Sequence, residues 1–223
     1  MKIAEVFYSI QGEGTLVGAP SVFLRTSGCN LRCAWCDTPY TSWQPEWTDW
    51  SLDALLSYVE RYSKGHVVVT GGEPMIQPEI ALLTEGLRAM GQHITMETAG
   101  TVFREVACDL MSVSPKLANS TPEGPFAQQH ERLRYQPEVL RRLMEAYPYQ
   151  LKFVIAAPGD VHEVVRVVEE LGAERGRVLL MPEGTAPEVV RERGKWLAEE
   201  CKGTGFRYSP RLHVDLWGDK RGV

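Results

Sequence analysis

No run of apolar residues in this chain approaches the ~20 that a membrane-spanning helix needs. Its first segment, MKIAEVFYSIQGEGTLVGAP, has no apolar leader core either, because Glu5, Gln11 and Glu13 interrupt it. Basic excess is also missing: 24 Lys and Arg stand against 29 Asp and Glu, a formal net charge of −5, with no basic block. Nucleic acid and anionic membrane surfaces are therefore disfavoured as partners, since both are bound through a basic field that displaces counterions. Cysteine is scarce and odd in number, five in 223 residues with three inside eight positions. That excludes a secreted disulfide framework and makes the cytoplasm the expected location. Internal repeats and low-complexity tracts are absent.

The chain is long enough for one domain with a full core, and residues 1–223 read as a single domain. Short β-rich runs occur at Ile3–Tyr8, Ser21–Thr26, His66–Thr70, His93–Glu97, Leu110–Val113, Leu151–Ile155 and Val178–Met181. Between them lie helical faces: Leu52, Leu55, Leu56 and Val59; Ile80, Leu83, Leu87 and Met90; Val139, Leu140, Leu143 and Met144. Val161, Val164, Val165, Val168 and Leu171 make a fourth, and Val189, Val190, Trp196 and Leu197 a less regular last one. Alternating β and α units predict an α/β fold with a mainly parallel, curved sheet and helices outside. With six or so units the form is a partial barrel of (β/α)6 type, whose reactive groups belong at the C-terminal ends of the strands. The segment Pro115–Tyr135 reads as one long irregular connection, of the kind that serves as a lid, an interface arm or a mobile loop.

Two features carry chemistry. Cys29, Cys33 and Cys36 follow the Ser21–Thr26 strand at C-x₃-C-x₂-C spacing. Three thiolates leave a tetrahedral metal site open, but they can hold three irons of a [4Fe–4S] cluster and leave the fourth to an external ligand. Structural zinc is the alternative; it needs a fourth ligand, and the next histidine is His66. The second feature is Thr70-Gly71-Gly72-Glu73-Pro74 after the His66–Val69 strand. Paired glycines there let backbone approach a ligand, and Glu73 offers an acceptor suited to an ammonium group. Read alone, such a run is a turn. Cys108 and Cys201 stand apart and read as buried small hydrophobes.

Together these motifs resemble the radical S-adenosylmethionine (SAM) superfamily. The remaining motifs narrow the resemblance: Phe7-Tyr8-Ser9-Ile10-Gln11-Gly12-Glu13-Gly14, Cys36-Asp37-Thr38, Glu97-Thr98-Ala99-Gly100, Ser114-Pro115-Lys116, and Leu212-His213-Val214 with Trp217-Gly218. This set is similar to the 7-carboxy-7-deazaguanine synthase family, from residue 3 to residue 223. The resemblance implies that Cys29, Cys33 and Cys36 bind the cluster and that Trp35, Cys36, Asp37, Gly72, Glu73, Ser114, Pro115 and Lys116 contact SAM. Met181, Pro182 and Glu183 match a segment that closes on the adenosine. Ile10, Gln11, Gly12, Arg25 and Thr70 match substrate contacts, Glu97 and His213 catalytic neighbours of the pterin, and Thr38 a Mg²⁺ ligand.

Each has a plainer reading by itself. Arg25 could pair with any carboxylate, Gln11–Gly14 be a hairpin turn, Glu97 a satisfied buried acid, His213 a packing residue, and Thr38 a support of the cluster loop. The implied activity is a lyase-type ring contraction of 6-carboxy-5,6,7,8-tetrahydropterin to 7-carboxy-7-deazaguanine with loss of ammonia, in queuosine and deazapurine biosynthesis. The implied cofactors are the [4Fe–4S] cluster, SAM and Mg²⁺, the implied electron donor a flavodoxin, and the implied assembly a homodimer. Two rival readings remain open at this point: a radical SAM activase of a glycyl radical enzyme, and a zinc-binding interaction module.

Overall fold

Alternation along the strands decides the architecture. The structure, a computed structural model, describes residues 1–223. Its strands are β1 (Lys2–Ile10), β2 (Pro20–Thr26), β3 (Thr48–Asp49), β4 (His66–Gly71), β5 (His93–Thr98), β6 (Leu110–Val113), β7 (Tyr149–Ile155), β8 (Val178–Pro182) and β9 (Arg207–Tyr208). Its helices are α1 (Leu52–Tyr62), α2 (Ile80–Ala89), α3 (Ala127–Arg134), α4 (Pro137–Ala146), α5 (Gly159–Leu171), α6 (Pro187–Thr204) and α7 (Leu212–Trp217). All nine strands form one open sheet in the order β3-β1-β2-β4-β5-β6-β7-β8-β9. Everything from β2 to β9 is parallel, and β1 runs antiparallel to both β2 and β3. The predicted partial barrel is the observed one.

On one face, Val22 and Leu24 of β2, Val67 and Val69 of β4, Ile94 and Met96 of β5, and Leu151, Phe153 and Ile155 of β7 enter a single apolar core. The helices answer with Leu55 and Val59 from α1, Leu83 and Leu87 from α2, Leu140 and Leu143 from α4, Val164 and Val168 from α5, and Leu197 from α6. Because the side-chain period of a strand is two, the intervening residues all face the other way. Among them, Arg25, Thr70, Glu97, Ser112, Ser114 and Lys152 line a cavity instead of filling a core. Helix ends follow local chemistry. Ser51 caps α1 by accepting from the Ala54 amide at 3.1 Å, and Gly172 closes α5 at φ +65°.

The structure corrects one expectation. Residues 115–135 are not a structureless connection: a turn of 3₁₀ helix at Ala118–Ser120 and α3 occupy them. The segment braces the cysteine loop. Ala34 N donates to Ser120 O (2.8 Å), Trp35 Nε1 to Asn119 O (2.9 Å), and Arg32 N to Nδ1 of the buried His130 (3.1 Å). With Nδ1 accepting, His130 is neutral and its Nε2–H donates to Ser120 Oγ (2.9 Å). The helix escaped notice because AQQHERLR is polar nearly all round and carries no apolar stripe.

At the N-terminal ends of the strands, His66 bridges Ser21 (2.6 Å to Nδ1) and Thr95 (2.9 Å to Nε2). Burial, then the neighbouring His93, holds its pKa down at about 4 despite an opposing pull from Asp109. The folded state therefore favours neutral His66, and its contribution is complete above the unfolded value of about 6.5. Stability should fall by roughly 1.4 kcal/mol per pH unit as pH drops from about 6.5 towards 4. Denaturant titrations across that window should show this slope in the native protein and a flatter one in His66→Gln; equal slopes would contradict the assignment.

Candidate active site

The cysteine loop hangs from the C-terminal end of β2. Cys33 is buried, Cys29 and Cys36 are half-buried, and all three are free thiols. The loop is held by its own backbone: Arg32 Nη1 donates to Cys29 O (2.8 Å) and Leu31 O (2.7 Å), and Trp43 Nε1 donates to Cys33 O (3.0 Å). Leu31 N points at Cys29 Sγ (3.4 Å), and Ser42 Oγ lies 3.3 Å from Cys36 Sγ. Burial, followed by the Glu73 carboxylate, pushes the Cys29 thiol up to about 12, and burial takes Cys33 to about 11. Thiolates here therefore need a strong positive charge beside them, which iron supplies. No three His, Cys, Asp or Glu side chains gather as the ligands of one metal ion. A sulfur donor set spread around one cavity fits a cluster, in which each thiolate takes a different iron.

Opposite the loop, the end of β4 comes in at backbone distance. Gly72 N donates to Thr26 O (3.1 Å) and Glu73 N to Gly28 O (2.9 Å). A Cβ on Gly72 would lie 2.3 Å from the Gly28 carbonyl oxygen, so only glycine fits. Glu73 itself is fully buried and outside the cavity lining. Its carboxylate accepts from Met75 N (3.1 Å), Thr98 Oγ1 (2.7 Å) and Ala99 N (2.9 Å). In this structure Glu73 ties the end of β4 to the end of β5 through both carboxylate oxygens.

A cavity of about 260 Å³ joins the two motifs. Trp35, Cys36, Asp37, Gly72, Ser114, Lys116 and Met181 line it, together with Thr38; Pro115, Pro182 and Glu183 do not. Lys116 Nζ donates to Ser114 Oγ (2.9 Å), whereas Glu183 pairs with Arg193. The Thr38 hydroxyl is one hard oxygen donor, 3.4 Å from Thr41 Oγ1 and 3.9 Å from Cys36 Sγ. That suits Mg²⁺, which retains water and substrate oxygens around few protein ligands.

The deeper half gathers Ile10, Gln11, Gly12, Arg25, Thr70, Glu97 and His213. Gln11 Nε2 (3.2 Å) and Thr70 Oγ1 (3.1 Å) both donate to the Glu97 carboxylate. Three further residues complete this half: Glu13, Lys152 and Arg211. Lys152 Nζ pairs with Glu13 and stands 3.7 Å from Glu97; Arg211 Nε donates to Glu13 Oε1 (3.2 Å) and its other arm pairs with Asp37. Burial alone would raise the Glu13 carboxyl, but the Lys152 and Arg211 charges hold it far below the carboxylate range. Lys152 rises to about 12, because Glu13 and Glu97 outweigh its burial. Burial depresses His213, 3.9 Å from Glu13, towards the neutral form. The signal for Lys152 was present in β7: a charge at an inward position between Leu151 and Phe153. Glu5 and Tyr40 were likewise missed, as was the chain end Gly218–Val223, all of which line the cavity.

A cluster-binding cysteine loop and a glycine-rich strand end, facing each other in a partial barrel, define a radical SAM protein, and the radical SAM superfamily profile matches residues 23–149. The 7-carboxy-7-deazaguanine synthase of Halobacterium salinarum is 43% identical over 98% of this chain and 91% of that protein. That of Rhodopirellula baltica is 42% identical over 99% of this chain and 88% of its own length. The crystal structure of QueE from Escherichia coli aligns with a TM-score of 0.71 at 27% identity, covering 95% of this chain and 94% of that one. This chain belongs to the 7-carboxy-7-deazaguanine synthase family, which displaces the zinc-module and activase readings.

Replacing Gly72 by Ala should drive the cysteine loop off the end of β4. Reconstituted Gly72→Ala is expected to carry well under half of the native iron and sulfide while remaining folded by circular dichroism. Full iron incorporation would show that the close backbone approach does not hold the cluster loop.

Proposed function

We propose that this chain is a radical SAM lyase that converts 6-carboxy-5,6,7,8-tetrahydropterin to 7-carboxy-7-deazaguanine, releasing ammonia, in queuosine and 7-deazapurine biosynthesis. The observation that carries this reading is one cavity with sulfur ligands at its mouth and a charged, strand-borne inner face behind them. When bound, the reduced cluster and SAM supply the 5′-deoxyadenosyl radical. Cys29, Cys33 and Cys36 would hold the cluster, with Trp35, Asp37, Gly72, Ser114, Lys116 and Met181 around SAM. Glu73, Pro115, Pro182 and Glu183 would act by shaping that wall from behind.

The residues of the inner face have separable tasks. Arg25 offers a planar guanidinium to the substrate carboxylate, geometry that a lysine would not reproduce. Glu97, fixed by Gln11 and Thr70, presents a carboxylate to the ring N–H groups. A third neighbour, Lys152, balances that charge at 3.7 Å. Ile10 and Gly12 shape the floor, and neutral His213 stands where a proton could be taken up or returned. Thr38 would hold Mg²⁺ against the substrate carboxylate, as a Lewis acid and template. Fixed orientation is the main demand on such a site, because a radical must meet one C–H bond and no other.

The same reading makes the chain a single radical SAM domain acting as a homodimer in the cytoplasm, reduced by a flavodoxin. No helix is long and apolar enough to cross a membrane. Anaerobic assay of reconstituted protein with the pterin, SAM, Mg²⁺ and a reductant tests the activity directly. The expected product by mass spectrometry is 7-carboxy-7-deazaguanine over many turnovers without matching loss of SAM. SAM cleavage with no deazaguanine would contradict it.

A further inference from the structure

Arg25 does not stand free in the cavity. Its Nε donates to Glu5 Oε2 at 2.8 Å, and no other side-chain or backbone acceptor takes either Nη group. Its guanidinium also lies 5.7 Å from the Phe7 ring, which stacks on Phe23 at 4.9 Å. Glu5 is itself held from two further directions. Tyr40 Oη donates to Oε2 (2.9 Å), and Arg221 Nε, from the chain end, donates to Oε1 (2.9 Å) while its guanidinium covers the Tyr40 ring at 3.6 Å.

The position of Glu5 depends on a fault in β1. Ile3 enters the apolar core under the helices, so in a regular strand Glu5, two residues on, would point there as well. The β1–β2 register slips between Ile3 and Glu5. Past this bulge the parity reverses: Glu5 and Phe7 face the cavity, and Glu5 lies directly opposite Arg25. Bulges of this kind re-aim side chains beside active sites.

We propose that Glu5 is a positioning residue for the substrate carboxylate: it grips Arg25 by Nε, leaves the Nη1–Nη2 edge turned into the cavity for end-on, two-point contact, and is kept in place by Tyr40 and Arg221. The inference rests on the reading of Arg25 as the carboxylate grip. Charge alone predicts the reverse effect. Removing the Glu5 charge makes the site more positive, so a purely electrostatic role would make an anionic substrate bind more tightly without it.

Binding of 6-carboxypterin, the oxidised and unreactive ring, to reconstituted, SAM-loaded protein separates these roles, with pterin lacking the carboxylate as the control ligand. Glu5→Met, near-isosteric and without acceptors, should raise the Kd for 6-carboxypterin about tenfold, the scale of one charge-assisted contact. Its Kd for pterin should change by less than about twofold. Glu5→Gln, which restores one acceptor without charge, should fall between Glu5→Met and the native protein, and carries the comparison if Glu5→Met fails to fold. In an Arg25→Met background Glu5→Met should add no further loss, because it acts through the guanidinium. Tighter binding of 6-carboxypterin by the Glu5 variants, equal loss of both ligands, or additive losses with Arg25→Met would each overturn the proposal. Native protein that binds neither ligand would overturn the pterin reading as well.

Discussion

A lysine with only 5% exposure sits inside the barrel, and the two carboxylates that balance it come from a strand two places along the sheet and from the segment after the first strand. Lys152 is carried by β7, Glu97 by β5, and Glu13 by the segment that follows β1. An unpaired charge at that depth would cost several kcal/mol, so the three groups must stay together. That requirement draws residues 11–14 across the sheet and under β7, where Gly14 N donates to Ser209 Oγ (2.8 Å) and Thr15 N to Gln150 Oε1 (2.9 Å). It also brings in Arg211 and, through it, α7. Leu212 N donates to Gly12 O (2.9 Å), and a Cβ at Gly12 would collide with His213 at 2.1 Å. The floor of the cavity is thus set by two buried cations, Lys152 and Arg211, and the carboxylates they share.

The mouth of the cavity depends on close backbone contact instead. The cysteine loop lies between the end of β4 on one side and residues 115–135 on the other, with nearly every contact made by a backbone group or by His130, Trp35 and Trp43. Charge pairing behind and backbone packing in front leave the inner wall between them polar and cross-linked by hydrogen bonds and ion pairs. A wall of that kind can orient a small, heteroatom-rich substrate without moving towards it.

Periodicity made most of this fold legible. Seven strands and five helices follow from periods of 2 and 3.6, and the cysteine spacing with Gly71-Gly72 marks the chemical end of the barrel. β3 and β9, two residues each, are too short to carry a pattern. The site was harder to read, because its charged residues sit inside strands, where Lys152 and Glu5 look like interruptions of an apolar run. Glu13 lay in view within Gln11–Gly14 but its partners are 139 and 198 positions away. Glu73 differs in the opposite sense: its motif points at a ligand, while its carboxylate accepts from Met75 N, Thr98 Oγ1 and Ala99 N. The bulge in β1 leaves no mark in the residues themselves, so nothing in the sequence could have paired Glu5 with Arg25.

Equilibrium denaturation of Lys152→Met tests most directly whether the buried cation organises the cavity. Leaving Glu13 and Glu97 without it should cost about 3 kcal/mol or more. Converting Glu13 to Gln in the same protein should recover part of that loss, since Arg211 is then no longer left to balance both Glu13 and Asp37. A Lys152→Met protein as stable as the native one would contradict the account, and the polar wall would need another source of order.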